Sequence, residues 1–236
     1  MSYLRYIDHV LYKAVLNGDF DKVDGLIKQG ANPNIKISSG YSLLHIAAKS
    51  NYSEICNALI NAGADVNKLN LDKISPLHMA CIYNSEESVD VLLNAKAELD
   101  IKGVDGATPL HSASRWGRVS IIEKLVNAGA SINIEDNNRN TPLHYAVRED
   151  VNGAVSCLIE NGAAIDPVNS QFETPLFVGV KTHAQKNILK TLLDNGANPH
   201  KENLFGDTPY SISKGSTRHL FDRHIENSSS KTDASK

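Results

Sequence analysis

The chain has 236 residues, of which 41% are hydrophobic, so it is long enough to bury a sizeable core. Its 24 Lys and Arg side chains are outnumbered by 27 Asp and Glu side chains, which gives a net charge of -3. This balance, with no basic run, argues against a protein that binds DNA or RNA through phosphate contacts.

The three cysteines are Cys56, Cys81 and Cys157, which are too few and too widely spaced for a disulfide scaffold or a paired-cysteine zinc site. The N-terminal residues contain no secretory signal pattern, and no run of about 18 apolar residues occurs. We therefore expect a soluble intracellular protein in a reducing compartment, without membrane contact.

A four-residue motif recurs at a constant interval along the chain. Copies of it occur at Ser42–His45, Ser75–His78, Thr108–His111, Thr141–His144 and Thr174–Phe177. Each copy ends 33 residues after the one before, and Gly-Ala pairs at residues 30, 63, 129, 162 and 196 keep the same phase within one residue. Two markers in one phase indicate an internal repeat.

The local chemistry of one repeat predicts two helices. Thr108 is a good N-cap, and Pro109 suits the first helical position because its missing N–H has no intrahelical partner there. Gly117 ends this short helix, and the apolar stripe that follows, from Ile121 to Val126, predicts a second helix that ends at Gly129. The Asn- and Asp-rich segment after it suits a projecting turn.

These residues resemble the ankyrin repeat, and the resemblance covers roughly residues 6–222. It implies an all-α solenoid of helix-turn-helix units with short projecting β-hairpins, in which each unit buries its apolar faces against its neighbours. We expect one domain over residues 1–225, with about seven repeats of which the first and last are caps. The polar segment 226–236 is expected to be a disordered tail.

Two departures from the repeat pattern predict local weakness. Lys96 occupies a position where the other repeats have a helix-ending glycine, so we expect a left-handed lysine that costs about 1 kcal/mol. The sixth repeat has Phe177 in place of histidine, Gly179 in place of alanine, and one extra residue between its helices. This end of the chain should be the softer one.

The histidines and cysteines, which could act as metal ligands or catalytic groups, occupy regular positions of the repeat. His45, His78, His111 and His144 lie one per repeat, which is too far apart for a shared metal ion, and the resemblance implies that they form structural hydrogen bonds. Cys56 and Cys81 fall at core positions, whereas Cys157 is expected to be more accessible. Common nucleotide-binding, metalloprotease and hydrolase motifs are missing, so we expect no catalytic, cofactor-binding or metal-binding residues.

The resemblance implies that residues at the end of each first helix face a concave groove and that residues before each Thr-Pro lie at the turn tips. The candidate partner-binding residues are Tyr41, Lys49, Ile74, Ile82, Tyr83, Arg115, Trp116, Arg148, Glu149 and Lys181. Tyr83 and Trp116 lie one repeat apart, so we expect them to be adjacent anchors, since Trp, Tyr and Arg are enriched in binding hot spots. The alternative is that Trp116 folds down and fills space over the helix ends.

The function implied is a protein–protein interaction module, an adaptor or inhibitor that needs no cofactor and is monomeric alone. The partner is a protein, not nucleic acid or membrane, and the expected location is the cytoplasm, with the nucleus as an alternative. Assembly chaperones also use bare arrays of this kind. The alternatives are an effector of an intracellular microbe that acts on host proteins, or a structural spacer; an enzyme is disfavoured.

Overall fold

The structure is a computed structural model that describes residues 5–233. Its Cα positions divide into two compact units. Unit one comprises the residues up to Ala113 together with Ser120–Ser131, and unit two comprises Ser114–Val119 and the residues from Ile132 onward. Each unit is described by itself.

All regular structure in the described range is helical, which confirms the predicted all-α class. The helices are α1 (Tyr6–Asn17), α2 (Phe20–Lys28), α3 (Leu43–Lys49), α4 (Ser53–Asn61), α5 (Pro76–Tyr83), α6 (Glu86–Asn94), α7 (Pro109–Arg115), α8 (Val119–Asn127), α9 (Pro142–Arg148), α10 (Asn152–Glu160), α11 (Pro175–Lys181), α12 (Lys186–Asp194), α13 (Pro209–Ile212) and α14 (Gly215–Asp233). Short 3-10 turns occur at Ser38–Gly40 and Val104–Gly106.

The projecting hairpins predicted from the resemblance are tight turns, and residues 5–233 contain no strand. In the turn before α11, the Asn169 N–H donates to the Glu173 carbonyl at 3.0 Å, and the Glu173 N–H donates back to the Asn169 side-chain oxygen at 3.0 Å. Because the side chain supplies the second acceptor, the turn closes on itself before a ladder of backbone bonds can form.

The first helix of each repeat begins as the motif predicts. At α5 the Ser75 hydroxyl accepts a hydrogen bond from the His78 N–H at 3.2 Å, and the Ser75 N–H donates to the His78 Nδ1 at 3.3 Å. This reciprocal arrangement satisfies two backbone donors at the helix start. Pro76 follows at the first helical position.

Apolar stripes on the helices form the core of each unit. In unit one α3 packs on α5, and in unit two α9 packs on α11. The second helices bury residues three and four apart, as on α12, whose buried residues are Ile188, Leu189, Leu192 and Leu193. A helix that is apolar on one face needs a neighbour to cover it, so the repeats stabilise one another within each unit.

Left-handed residues end the helices at the predicted positions. Lys96 has φ 58°, which confirms that a lysine adopts the conformation that glycine provides in the other repeats. Gly117 ends α7 with φ 65°, and a Cβ atom at this position would lie 2.3 Å from the Cγ1 of Val151. Glycine is therefore required at residue 117 both by the backbone conformation and by the close approach of a side chain.

The interpretation of Gly179 as a defect is wrong. A Cβ atom at this position in α11 would lie 2.9 Å from both the Leu189 Cδ2 and the Val147 Cγ1. The larger side chains of the neighbouring helices fill the space that an alanine methyl group would occupy. Gly179 lets α11 approach its neighbours closely, and an added methyl group would force the Leu189 and Val147 side chains to shift.

The C-terminal end of unit two is held by side chains of α14, which packs on α12. Phe221 is fully buried, and the Tyr210 hydroxyl donates to the Asp222 carboxylate at 2.9 Å. The helix continues to Asp233, into the segment 226–236 that was expected to be a disordered tail. A polar sequence can extend an exposed helix once its first turns are anchored; residues 234–236 lie outside the described residues.

No helix in the described part of the chain is both long enough and apolar enough to span a bilayer.

Candidate protein-binding surface

In unit one the predicted residues at the ends of α3 and α5 meet. Tyr83 is 49% exposed, and the Nζ of Lys49 lies 4.6 Å from the centre of its ring. A cation over an exposed aromatic face contributes about 0.5–1 kcal/mol and limits the motion of both side chains. Ile82 beside them is half-buried. The end of α5 therefore presents a large, partly ordered aromatic surface to solvent.

Two predicted tip residues of unit one have structural contacts instead of open exposure. Tyr41 is half-buried, and its ring centre lies 5.5 Å from that of His45 in an edge-on arrangement. The Ile74 carbonyl accepts a hydrogen bond from the Nε2 of His45 at 2.8 Å. The most exposed apolar tip of unit one is Leu71, at 79%, which the sequence analysis did not single out.

In unit two Arg115, Trp116 and Glu149 lie together. The Nε of Arg115 lies 3.2 Å from the Oε1 of Glu149, and its guanidinium carbon lies 6.0 Å from the Trp116 ring centre. Trp116 is 52% exposed. The alternative in which this ring fills space over the helix ends does not fit that exposure.

The other two predicted cations of unit two are joined by a buried polar chain that the sequence analysis missed. Arg148 donates through Nη2 to the Asn140 side-chain oxygen at 3.1 Å, and Lys181 donates to the Glu173 Oε1 at 2.6 Å. The Asn169 amide links the two acceptors, at 3.2 Å from the Asn140 oxygen and 3.4 Å from the Glu173 Oε2. Asn140, Asn169 and Glu173 are all buried. Hydrogen bonds to these buried residues therefore fix the positions of the two exposed cations.

Two cavities open on this face of unit two. A polar cavity of about 360 Å³ is lined by residues that include Arg148, Asn169, Ser170, Lys181 and Thr182. A second cavity of about 480 Å³ is lined by the apolar side chains of Phe177, Val180, Phe205 and Ile212 and by polar residues that include His183, Asp207 and Lys214. Gln171, Glu173 and Lys181 line both cavities.

The recurrence of Asn or Asp at residues 70, 136, 169 and 203 was the sequence signal that could have located the polar chain.

Comparison with known proteins agrees with this arrangement. A family model described as ankyrin repeats (3 copies) matches residues 8–70, 44–136 and 121–203. The chain belongs to the ankyrin-repeat family. Among solved structures it is similar to the ankyrin repeat domain of human ASB11, with a TM-score of 0.82 and 28% sequence identity over 91% of this chain and 96% of that one. No curated protein matches the sequence.

Membership of the ankyrin-repeat family has a direct consequence for function. Ankyrin repeats are protein–protein interaction modules, and their fold is in general a non-catalytic scaffold that binds protein partners. The family assignment thus confirms the predicted fold.

The histidines of the ankyrin-repeat motif are structural. The Nε2 of His78 lies 3.1 Å from the Ala107 carbonyl, and that of His144 lies 3.1 Å from the Glu173 carbonyl. Burial lowers the pKa of each to about 4, so both are neutral at pH 7. Within the described residues no group of three possible ligands is placed to hold a metal ion.

All three cysteines are buried. Burial raises the pKa of Cys56 to about 12 and that of Cys81 still further. The expectation that Cys157 is more accessible is wrong, because this side chain packs into the core on the inner face of α10. A thiol held protonated in an apolar environment is a poor nucleophile.

Proposed function

We propose that this chain is an ankyrin-repeat adaptor or inhibitor, which binds a protein partner through the residues at the ends of its first helices and acts without a cofactor or a covalent step. The observation that carries the proposal is the exposure of Tyr83 and Trp116, each with a cation beside its ring. Both lie among the residues where the repeat pattern places variable, non-core positions.

The energetics of these two rings favour a binding role. A large aromatic side chain that remains half exposed contributes less to folding than a buried one, because much of its apolar surface still faces water. In a complex the same surface would be removed from water, and Trp, Tyr and Arg dominate the hot spots of protein interfaces. A structural spacer would require no such residues at solvent-facing positions.

The side chains that could have served as nucleophile or base support a non-enzymatic role. The thiols of Cys56 and Cys81 are buried and held protonated, and the rings of His78 and His144 are occupied by hydrogen bonds to backbone and cap groups. We also propose a cytoplasmic location and a monomeric state. Three core cysteines with no disulfide among them support a reducing compartment.

The test is capture of partners by the purified chain from a lysate of its source cells, with crosslinking and mass spectrometry to identify bound proteins and contact sites. The double variant Tyr83→Ala/Trp116→Ala should lose at least tenfold in capture of the partners that crosslink near these residues. The matched control is Tyr6→Ala, which removes a ring that is 84% exposed on α1. Undiminished capture by the double variant would remove these residues from the interface.

A further inference from the structure

We propose that unit two carries a two-part peptide site. The polar cavity takes the carboxylate of an Asp or Glu side chain, and the adjoining apolar cavity takes a large apolar side chain of the same extended segment. The inference rests on the proposed function and specifies the chemistry of the partner.

The polar cavity offers two cations that hydrogen bonds hold in place, Arg148 on a neutral amide and Lys181 on the Glu173 carboxylate. Arg148 makes its hydrogen bond to a neutral amide oxygen, and no carboxylate of the described residues lies within 4.0 Å of its guanidinium. Its planar group retains donors that suit a carboxylate in a two-point contact. The Nζ of Lys181 uses one donor on Glu173, and an ammonium group has three.

The net charge of the polar cavity determines the charge of the anion that it can bind. Arg148 and Lys181 supply two positive charges and Glu173 supplies one negative charge, so a single surplus positive charge faces the cavity. One carboxylate balances it, whereas a phosphate would bring about -1.5 to -2. The remaining lining includes Asn138, Ser170 and Thr182, whose amides and hydroxyls can bond to a peptide backbone.

The apolar cavity is lined both by buried core residues and by an exposed ring. Phe177 and Val180 are buried parts of the core, so their positions are set by packing. Phe177 supplies an apolar ring at the position where earlier repeats have a histidine. Phe205, at 78% exposure, also lines this cavity. A volume of about 480 Å³ lies in the range of ligand pockets and accommodates one large side chain with its neighbouring backbone.

Two exposed apolar residues are sequence neighbours of residues that line this cavity, since Phe172 follows Gln171 and Leu204 precedes Phe205. Leu204 and Phe172 are exposed, and Phe172 has φ 58°, a conformation that is strained for a bulky residue. The Leu204 N–H donates to the Gln171 carbonyl at 3.0 Å, which joins the two turns. Large exposed apolar groups on two joined turns are typical of an interaction site.

The two cavities form one site because they share lining residues. Gln171, Glu173 and Lys181 belong to both, so a segment that leaves one cavity enters the other directly. An extended peptide advances about 3.3 Å per residue and alternates its side chains. We therefore expect the acidic and the apolar residue to be separated by one to three positions.

The experiment is a selection of random 12-residue peptides displayed on phage against the full purified chain. Enriched sequences should contain Asp or Glu and a large apolar residue at a fixed separation of one to three positions. Synthetic versions of the enriched peptides are then titrated against variants by fluorescence anisotropy. Arg148→Glu should weaken binding at least tenfold, and Phe205→Ala at least fivefold.

Charge exchange makes the test specific. A peptide whose acidic residue is changed to Lys should bind Arg148→Glu better than it binds the unmodified chain, and the control Lys190→Glu on α12 should leave all affinities within twofold. Circular dichroism checks that each variant is folded. Enrichment without an acidic residue, no enrichment at all, or affinities unchanged by Arg148→Glu would each overturn the inference. Peptides that bind instead near Tyr83 or Trp116 would also overturn it, while the proposed function would stand.

Discussion

The Nε2 of His144 in α9 lies 3.1 Å from the carbonyl oxygen of Glu173, in the turn that precedes α11. The Nδ1 of the same ring accepts the Thr141 N–H at 3.1 Å, so the proton is carried on Nε2 and donated to the carbonyl. One neutral imidazole thereby ties a helix start to the turn of the next repeat. A second proton on Nδ1 would remove the acceptor that caps the helix.

Stability should therefore fall with acid between pH 6.5 and pH 4. Burial lowers the pKa of His78 and of His144 to about 4 in the folded state, while unfolded histidine titrates near 6.5. In this window the unfolded chain binds more protons, so the free energy of unfolding rises with pH and is lost as pH falls. The free energies of unfolding that urea denaturation gives at pH 7.5 and at pH 5.5 should differ by about 1.4 kcal/mol for each of these two histidines.

The same groups can be followed directly by NMR of the imidazole nitrogens. The rings of His78 and His144 should remain neutral, with the proton on Nε2, at pH 5.5. A titration midpoint near 6.5 for either ring, or equal stability at the two pH values, would contradict the assignment.

Gly179→Ala should destabilise the protein although alanine is the better helix former. An added methyl group would lie 2.9 Å from Leu189 and Val147, and such overpacking costs about 1–3 kcal/mol. The control is Gly25→Ala in α2, where no atom lies within 4 Å of the added carbon, and a gain of about 0.5–1 kcal/mol is expected. Urea midpoints of the two variants should move in opposite directions; a stabilised Gly179→Ala would refute the packing argument.

Lys96→Gly should raise the free energy of unfolding by about 1 kcal/mol, because Lys96 has φ 58° and glycine adopts this conformation without strain. The matched control is Lys13→Gly within α1, where glycine should cost about 1 kcal/mol. Thermal and urea denaturation measure both. A neutral or destabilising effect at Lys96 would show that the left-handed lysine carries no strain.

Tyr83→Ala and Trp116→Ala should each lower the free energy of unfolding by no more than about 1 kcal/mol, since each removes a half-exposed ring and one exposed cation–ring contact. Phe221→Ala is the contrasting variant, because this ring of α14 is fully buried and its truncation should cost about 3–5 kcal/mol. Urea unfolding curves decide the matter. A loss of several kcal/mol at Trp116 would assign that ring to the core.

The repeat length and helix boundaries could be read from the sequence because they depend on local chemistry. A Ser or Thr cap followed by Pro starts a helix whatever surrounds it, and Gly117 or Gly129 ends one for backbone reasons alone. The phase of these markers also located Lys96 in a left-handed conformation, and the family resemblance implied the structural hydrogen bonds of the motif histidines. The position of a residue within the repeat was enough to predict its local conformation, because the same helix-start and helix-end residues recur in each repeat.

Tertiary packing decided what the repeat pattern could not. Gly179 reads as a defect in one helix, and its packing role follows only from the approach of Leu189 and Val147 from two others. The link from Arg148 through Asn140 and Asn169 to Glu173 and Lys181 joins residues of successive repeats, and the apolar cavity beside it exists because Phe177, Phe205 and Ile212 converge from separate elements. Such arrangements depend on distances between segments, which local propensity does not encode.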